Sequence, residues 1–218
     1  YKDVYSVFQG SIWVTGEVNG EKRGIIGDYE QDMGQGPWGQ DNTDQAYKVY
    51  YVDISMLNDP ENHDDFQNWP VNQGAPWVDV AGDGIYEPLP VGEDYPEFIG
   101  DKLAFFVAND GDPSLKSNMG TNPLDLEMQF LVYSFEQSFS DDLAASLFYK
   151  VLIINKGSNT IDNTYFGLWF DDDIGTPGND LVGVSVDRGL SYTYNGDVDD
   201  LVIQGGMQDF IKGSDFLQ

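Results

Sequence analysis

Residues 147–173 read LFYKVLIINKGSNTIDNTYFGLWFDDD, and the fold class turns on them. Phe148, Lys150, Leu152 and Ile154 alternate with Tyr149, Val151 and Ile153, and most of both sets are apolar. Successive strand residues point to opposite faces, so this pattern predicts a strand buried on both faces or nearly so. Asn155 to Asn159, NKGSN, is turn chemistry, with Gly free to take positive φ and Asn able to bond its own backbone. Thr164 to Phe170 is a second, aromatic-rich run of strand character. The stretch therefore predicts a hairpin that delivers Asp171, Asp172 and Asp173 to one edge of the domain.

The same grammar recurs on either side. Val18-Asn19-Gly20-Glu21 carries Asn-Gly, the strongest short hairpin signal, between Tyr5–Val18, read as one strand or as two with a bend at Gly10, and a returning strand over Gly24–Tyr29. Ala46–Ile54, Leu103–Asn109, Met128–Phe139, Leu181–Val186, Leu190–Tyr194 and Leu201–Gln204 read as further strands. Asp141–Ala145 suits a turn or one helical turn, and no longer segment has helical periodicity. The expected fold is all-β, an antiparallel β-sandwich with long Asp/Gly-rich loops, forming a single domain over residues 1–218. The chain reads as a piece of a longer exported protein.

Charge and composition narrow the chemistry. The chain has 38 acidic and 10 basic residues, a formal net charge of -28. Such a surface repels itself, and bound divalent cations or a salty medium would relieve the repulsion. The same charge argues against nucleic-acid partners and anionic membranes, and no apolar run is long enough for direct membrane insertion. There is no cysteine, which removes disulfides, thiolate metal sites and cysteine nucleophiles together. His63 is the lone histidine and sits in a polar loop. With no G-x-S-x-G elbow, P-loop or dinucleotide fingerprint, no catalytic residue is assigned.

The acidic loops point to calcium, a cation that takes six to eight oxygens from alternating positions of a tight loop with Gly at the sixth. In Asp79-Val80-Ala81-Gly82-Asp83-Gly84-Ile85-Tyr86-Glu87, Asp79 falls at the first position, Asp83 at the fifth and Gly84 at the sixth. The Ile85 carbonyl and Glu87 follow at the seventh and ninth, and Glu93, Asp94 or Asp101 would have to supply a further acid. Asp110 and Asp112 form a second candidate pair in Asn109-Asp110-Gly111-Asp112. Asp171 and Asp173 share a strand face and form a third candidate with Asp180. Asp197, Asp199 and Asp200 read as a solvated turn.

Several of these runs resemble a known group. Gly74-Ala75-Pro76-Trp77-Val78-Asp79, Gly82-Asp83-Gly84-Ile85-Tyr86, Asp94-Tyr95-Pro96 and Gly100-Asp101 form one part of the pattern. Ile154-Asn155-Lys156-Gly157, Tyr165–Trp169, Asp171, Asp173-Ile174-Gly175, Asp180, Val182-Gly183 and Tyr192–Asp197 form another, and Ser11-Ile12-Trp13-Val14 fits its opening. Together they resemble the N-terminal region of large multidomain exported proteins of Bacteroidetes and related phyla, which carry a type IX secretion sorting domain. The family pattern has Asn at the position of Ala81. The resemblance implies a secreted or cell-surface location and no activity. The expected role is structural, adhesive or assembly-related, with other domains of the same chain or surface-assembly subunits as partners. The alternative is a carbohydrate-binding module or part of a polysaccharide-degrading enzyme, with Trp13, Trp38, Trp69 and Trp77 offering stacking surfaces to glycans.

Overall fold

The computed structural model describes residues 7, 9–29, 31–116, 120–136, 141–172, 178–196 and 211–215. Among the described residues thirteen strands run in chain order: β1 (Gln9–Val18), β2 (Glu21–Ile25), β3 (Gly34–Gln35), β4 (Tyr50–Asp53), β5 (Trp77–Val78), β6 (Tyr95–Pro96), β7 (Lys102–Asn109), β8 (Leu126–Ser134), β9 (Phe148–Asn155), β10 (Asp162–Asp171), β11 (Asp180–Ser185), β12 (Leu190–Asn195) and β13 (Ile211–Asp215). In the same residues helix is confined to short turns, among them α1 (Asp64–Gln67) and α2 (Asp141–Ala144). The fold is all-β and antiparallel, the sandwich class that the strand pattern predicts. The chain clusters into two compact units, one of residues 14–165 and one of residues 1–13 with 166–218.

The larger unit is built on a sheet in the order β3-β7-β8-β9, with β4 also on β7. Leu103, Phe105 and Val107 of β7 alternate into one face and Ala104 and Phe106 into the other. Leu131 lies opposite Phe105, and Tyr50 and Val52 of β4 extend the row. Over this face the segment between β4 and β7 lays Phe66, Trp69 and Ala75, and these buried side chains form the main core. Trp69 packs tilted against Phe105 with ring centroids 6.1 Å apart and donates its indole N–H to the Pro76 carbonyl at 2.9 Å. On the opposite face Phe106 and Phe130 stack at 4.5 Å.

The Asn19-Gly20 turn forms as the sequence predicts. Val18 pairs with Glu21, and φ is 53° at Asn19 and 80° at Gly20, the two positive values that a two-residue hairpin turn requires. Val14, Val18 and Ile25 are buried. In the smaller unit β11, β12 and β13 form a three-stranded meander, and Trp13 stacks on Trp169 at 6.0 Å.

The 147–173 hairpin does not form. β9 pairs with β8, whereas β10 pairs with β1 in the separate sheet β10-β1-β2. Residues 156–161 carry the chain from one sheet to the other, anchored by the bond from the Lys156 amide to the Asp125 carbonyl at 2.9 Å. Nor is β9 buried on both faces. It is the edge of its sheet among the described residues, and Tyr149, Lys150 and Leu152 are exposed. The predicted strand over Ala46–Ile54 shortens to β4, because the Asp44 carboxylate accepts the Ala46 amide and caps a 3-10 turn at Gln45–Tyr47. The segments predicted at Leu201–Gln204 and Asp197–Asp200 lie outside the described residues.

Candidate functional site

The first acidic loop joins β5 to β6, whose two-residue ladder pairs Trp77 with Pro96 and Val78 with Tyr95. Its carboxylates fold back onto its own backbone. Asp79 Oδ1 accepts the Gly82 amide at 2.6 Å and the Asp83 amide at 3.3 Å, and its Oδ2 accepts the Gly84 amide at 2.8 Å. Asp83 Oδ1 accepts the Ile85 amide at 2.9 Å. The turn needs φ of 73° at Gly82 and 77° at Gly84, in the left-handed region where a side chain would be strained. Ile85 points outward and is exposed. Glu87 contributes its backbone: its amide donates to Asp94 Oδ2 at 2.8 Å and its carbonyl accepts the Asp94 amide.

Asp94 is the hub of this loop. It is buried, and its Oδ1 also accepts the Val80 amide at 2.9 Å, so one carboxylate ties both arms of the loop. Beneath it the Tyr86 hydroxyl donates to the Phe66 carbonyl at 2.8 Å, and burial pushes that phenol well above its usual range. Asp101 accepts the Glu136 amide at 2.6 Å at a different place.

The second pair, Asp110 and Asp112, separates into two environments. Asp110 is fully buried and accepts the Leu124 amide on Oδ2 and the Leu126 amide on Oδ1, both at 2.7 Å. Desolvation raises its pKa against those two bonds and against Lys116. Asp112 accepts the Ser114 amide and hydroxyl at 2.9 and 2.7 Å and caps the turn at Pro113–Leu115. The Ser114 bonds hold its carboxyl below the ordinary carboxylate value. Asp110 belongs with Lys116 and Asp32, both buried: Lys116 Nζ lies 3.6 Å from Asp110 Oδ2, 3.5 Å from Asp32 Oδ2 and 2.6 Å from the Gly24 carbonyl that it bonds.

Of the third candidate, Asp171 ends β10 and Asp180 opens β11 opposite Asn195, while Asp173 lies outside the described residues. Asp172 accepts the Thr193 hydroxyl at 3.2 Å. His63 faces Asp59 at 3.1 Å. The tryptophans divide similarly. Trp69 is core, Trp77 sits edge-on to Tyr86 at 5.5 Å, and Trp38 is exposed with its indole N–H 3.3 Å from Asp125.

The sequence reading missed Asp32, Lys116 and Glu127. Glu127 is buried, accepts the Trp38 amide at 2.9 Å and pairs with Lys156 at 3.3 Å. An acid inside an alternating strand, as at Glu127 in LEMQF, is the one signal that marked it. Among the described residues no three acidic or histidine side chains gather in one metal-ligating group. Comparison with protein-family models, with curated proteins and with solved structures returns no match.

Proposed function

We propose that the chain is a β-sandwich module of a secreted or cell-surface protein, with a structural, adhesive or assembly role and acidic loops steadied by calcium. The observation that carries this reading is the β5–β6 loop, where Asp79, Asp83 and Asp94 spend their oxygens on ordering backbone. Carboxylates that cap a turn hold it in shape and leave its charge in place. In a chain of net charge -28 that charge is a standing cost, and a divalent cation offsets it. Calcium fits because it accepts carboxylates, carbonyls and water together and tolerates irregular geometry. A cation that binds only the folded state adds stability in proportion to the logarithm of its concentration over its dissociation constant. The resemblance to exported Bacteroidetes proteins supports the location and leaves partners to other domains of the chain or to assembly subunits.

Thermal unfolding in calcium and in excess chelator, with bound metal quantified on the same sample, tests this. The expected result is a higher Tm in calcium with metal retained through desalting. Equal Tm values and no retained metal would reduce the loops to capped turns.

A further inference from the structure

The geometry points to an intramolecular amide between Lys116 Nζ and Asp32 Cγ, formed by the folded chain itself, with Asp110 relaying the protons. Three side chains carry the inference, and all three are withdrawn from water: 1% of the Lys116 side chain is exposed, 1% of Asp32 and none of Asp110. The flanking Ile25, Leu124 and Leu126 are themselves buried. An ion pair held in such a place carries a large desolvation cost, and condensation to a neutral amide removes it.

The hydrogen bonds select the electrophile. Both Asp110 oxygens accept backbone amides, so losing either one would orphan a buried N–H. Asp32 differs. Its Oδ2 accepts the Ile26 amide at 2.7 Å, and its Oδ1 is buried with no hydrogen-bond partner among the described residues. Oδ1 is therefore the oxygen whose departure breaks nothing. The nucleophile is also placed: Nζ donates to the Gly24 carbonyl at 2.6 Å, a bond that the amide N–H of the product keeps.

The step balances without any outside reagent. The ammonium passes a proton to Asp110 Oδ2, 3.6 Å away, and the neutral amine attacks Asp32 Cγ. Two of the three ammonium protons leave with Asp32 Oδ1 as water when the Cγ–Oδ1 bond breaks. The third proton stays on the amide nitrogen. Asp32 Oδ2 becomes the amide carbonyl and still accepts from Ile26, and Asp110 ends in the protonation state in which it began.

Intact mass spectrometry of the full natural chain, denatured after folding, tests the proposal together with peptide mapping. The expected mass is the sequence mass less one water, with the segment around Asp32 joined to that around Lys116. Lys116→Arg should restore the full sequence mass. Asp110→Asn, if it folds, should slow the loss of water while leaving both reacting groups present. A natural chain that folds and keeps its full sequence mass overturns the proposal. A cross-link mapped to Asp110 instead of Asp32 overturns the choice of electrophile.

Discussion

Two acidic turns of similar composition, VDVAGDGIYE and ANDGDPS, meet opposite fates in this molecule. The turn at Asp79 caps itself: its partners are amides three to five residues ahead, and its carboxylates stay at the surface. The turn at Asp110 caps something distant: the amides of Leu124 and Leu126 and, through Lys116, the carbonyl of Gly24. A carboxylate whose partners are local orders a loop. One whose partners are far away in sequence holds the fold together, because removing it unties several segments at once.

The largest expected effect breaks that contrast most directly. Asp110→Ala orphans two buried amides and leaves the Lys116 ammonium with Asp32 as its counter-charge, which should cost about 2–6 kcal/mol in urea denaturation, at about 1–3 kcal/mol for each orphaned amide. Asp79→Ala removes a self-contained cap and should cost about 1 kcal/mol. Equal losses at the two sites would show that the local turn is as structural as the distant one.

Asp110 and Asp112, two residues apart, sharpen the comparison by titrating in opposite directions. Carboxyl 13C NMR should place Asp110 above the ordinary carboxylate range, chiefly through desolvation, and Asp112 below it, through its bonds to Ser114. The sign follows by linkage. Between its unfolded and its raised folded value, native Asp110 keeps a proton that the unfolded chain has shed, so its contribution falls as pH rises through that window. Native Asp112 sheds its proton earlier than the unfolded chain, so its contribution is present above the unfolded value and is lost as pH falls through the lowered folded one.

Much of the scaffold was legible because its signals are local. Asn19-Gly20 dictates its own turn, and the alternation in KLAFFVAN forces β7 to bury Leu103, Phe105 and Val107 on one side. What failed was partner choice. FYKVLIIN and DNTYFGLWFD are each good strands with a turn between them, yet they join different sheets, and nothing within either run encodes which neighbour it takes. Apolar residues on both faces of β9 suited a central strand, and the structure leaves that strand at an edge.

The candidate site was legible in the same partial way. Spacing found Asp79 and Asp83, but it could not rank Asp94 above Glu93 and Asp101, because that ranking depends on which acid folds under the loop. Asp32 and Lys116 carry no motif at all; only the tertiary fold brings them together.

An amide-resolved calcium titration by 1H–15N NMR tests the central claim most directly, since it asks which acidic turn meets the cation. The account predicts that the Gly82, Asp83, Gly84 and Ile85 amides shift with calcium and return with chelator, while those of Leu124 and Leu126, locked on Asp110, stay where they are. Shifts at Leu124 and Leu126 with none in the β5–β6 loop, or no shifts anywhere, would contradict it.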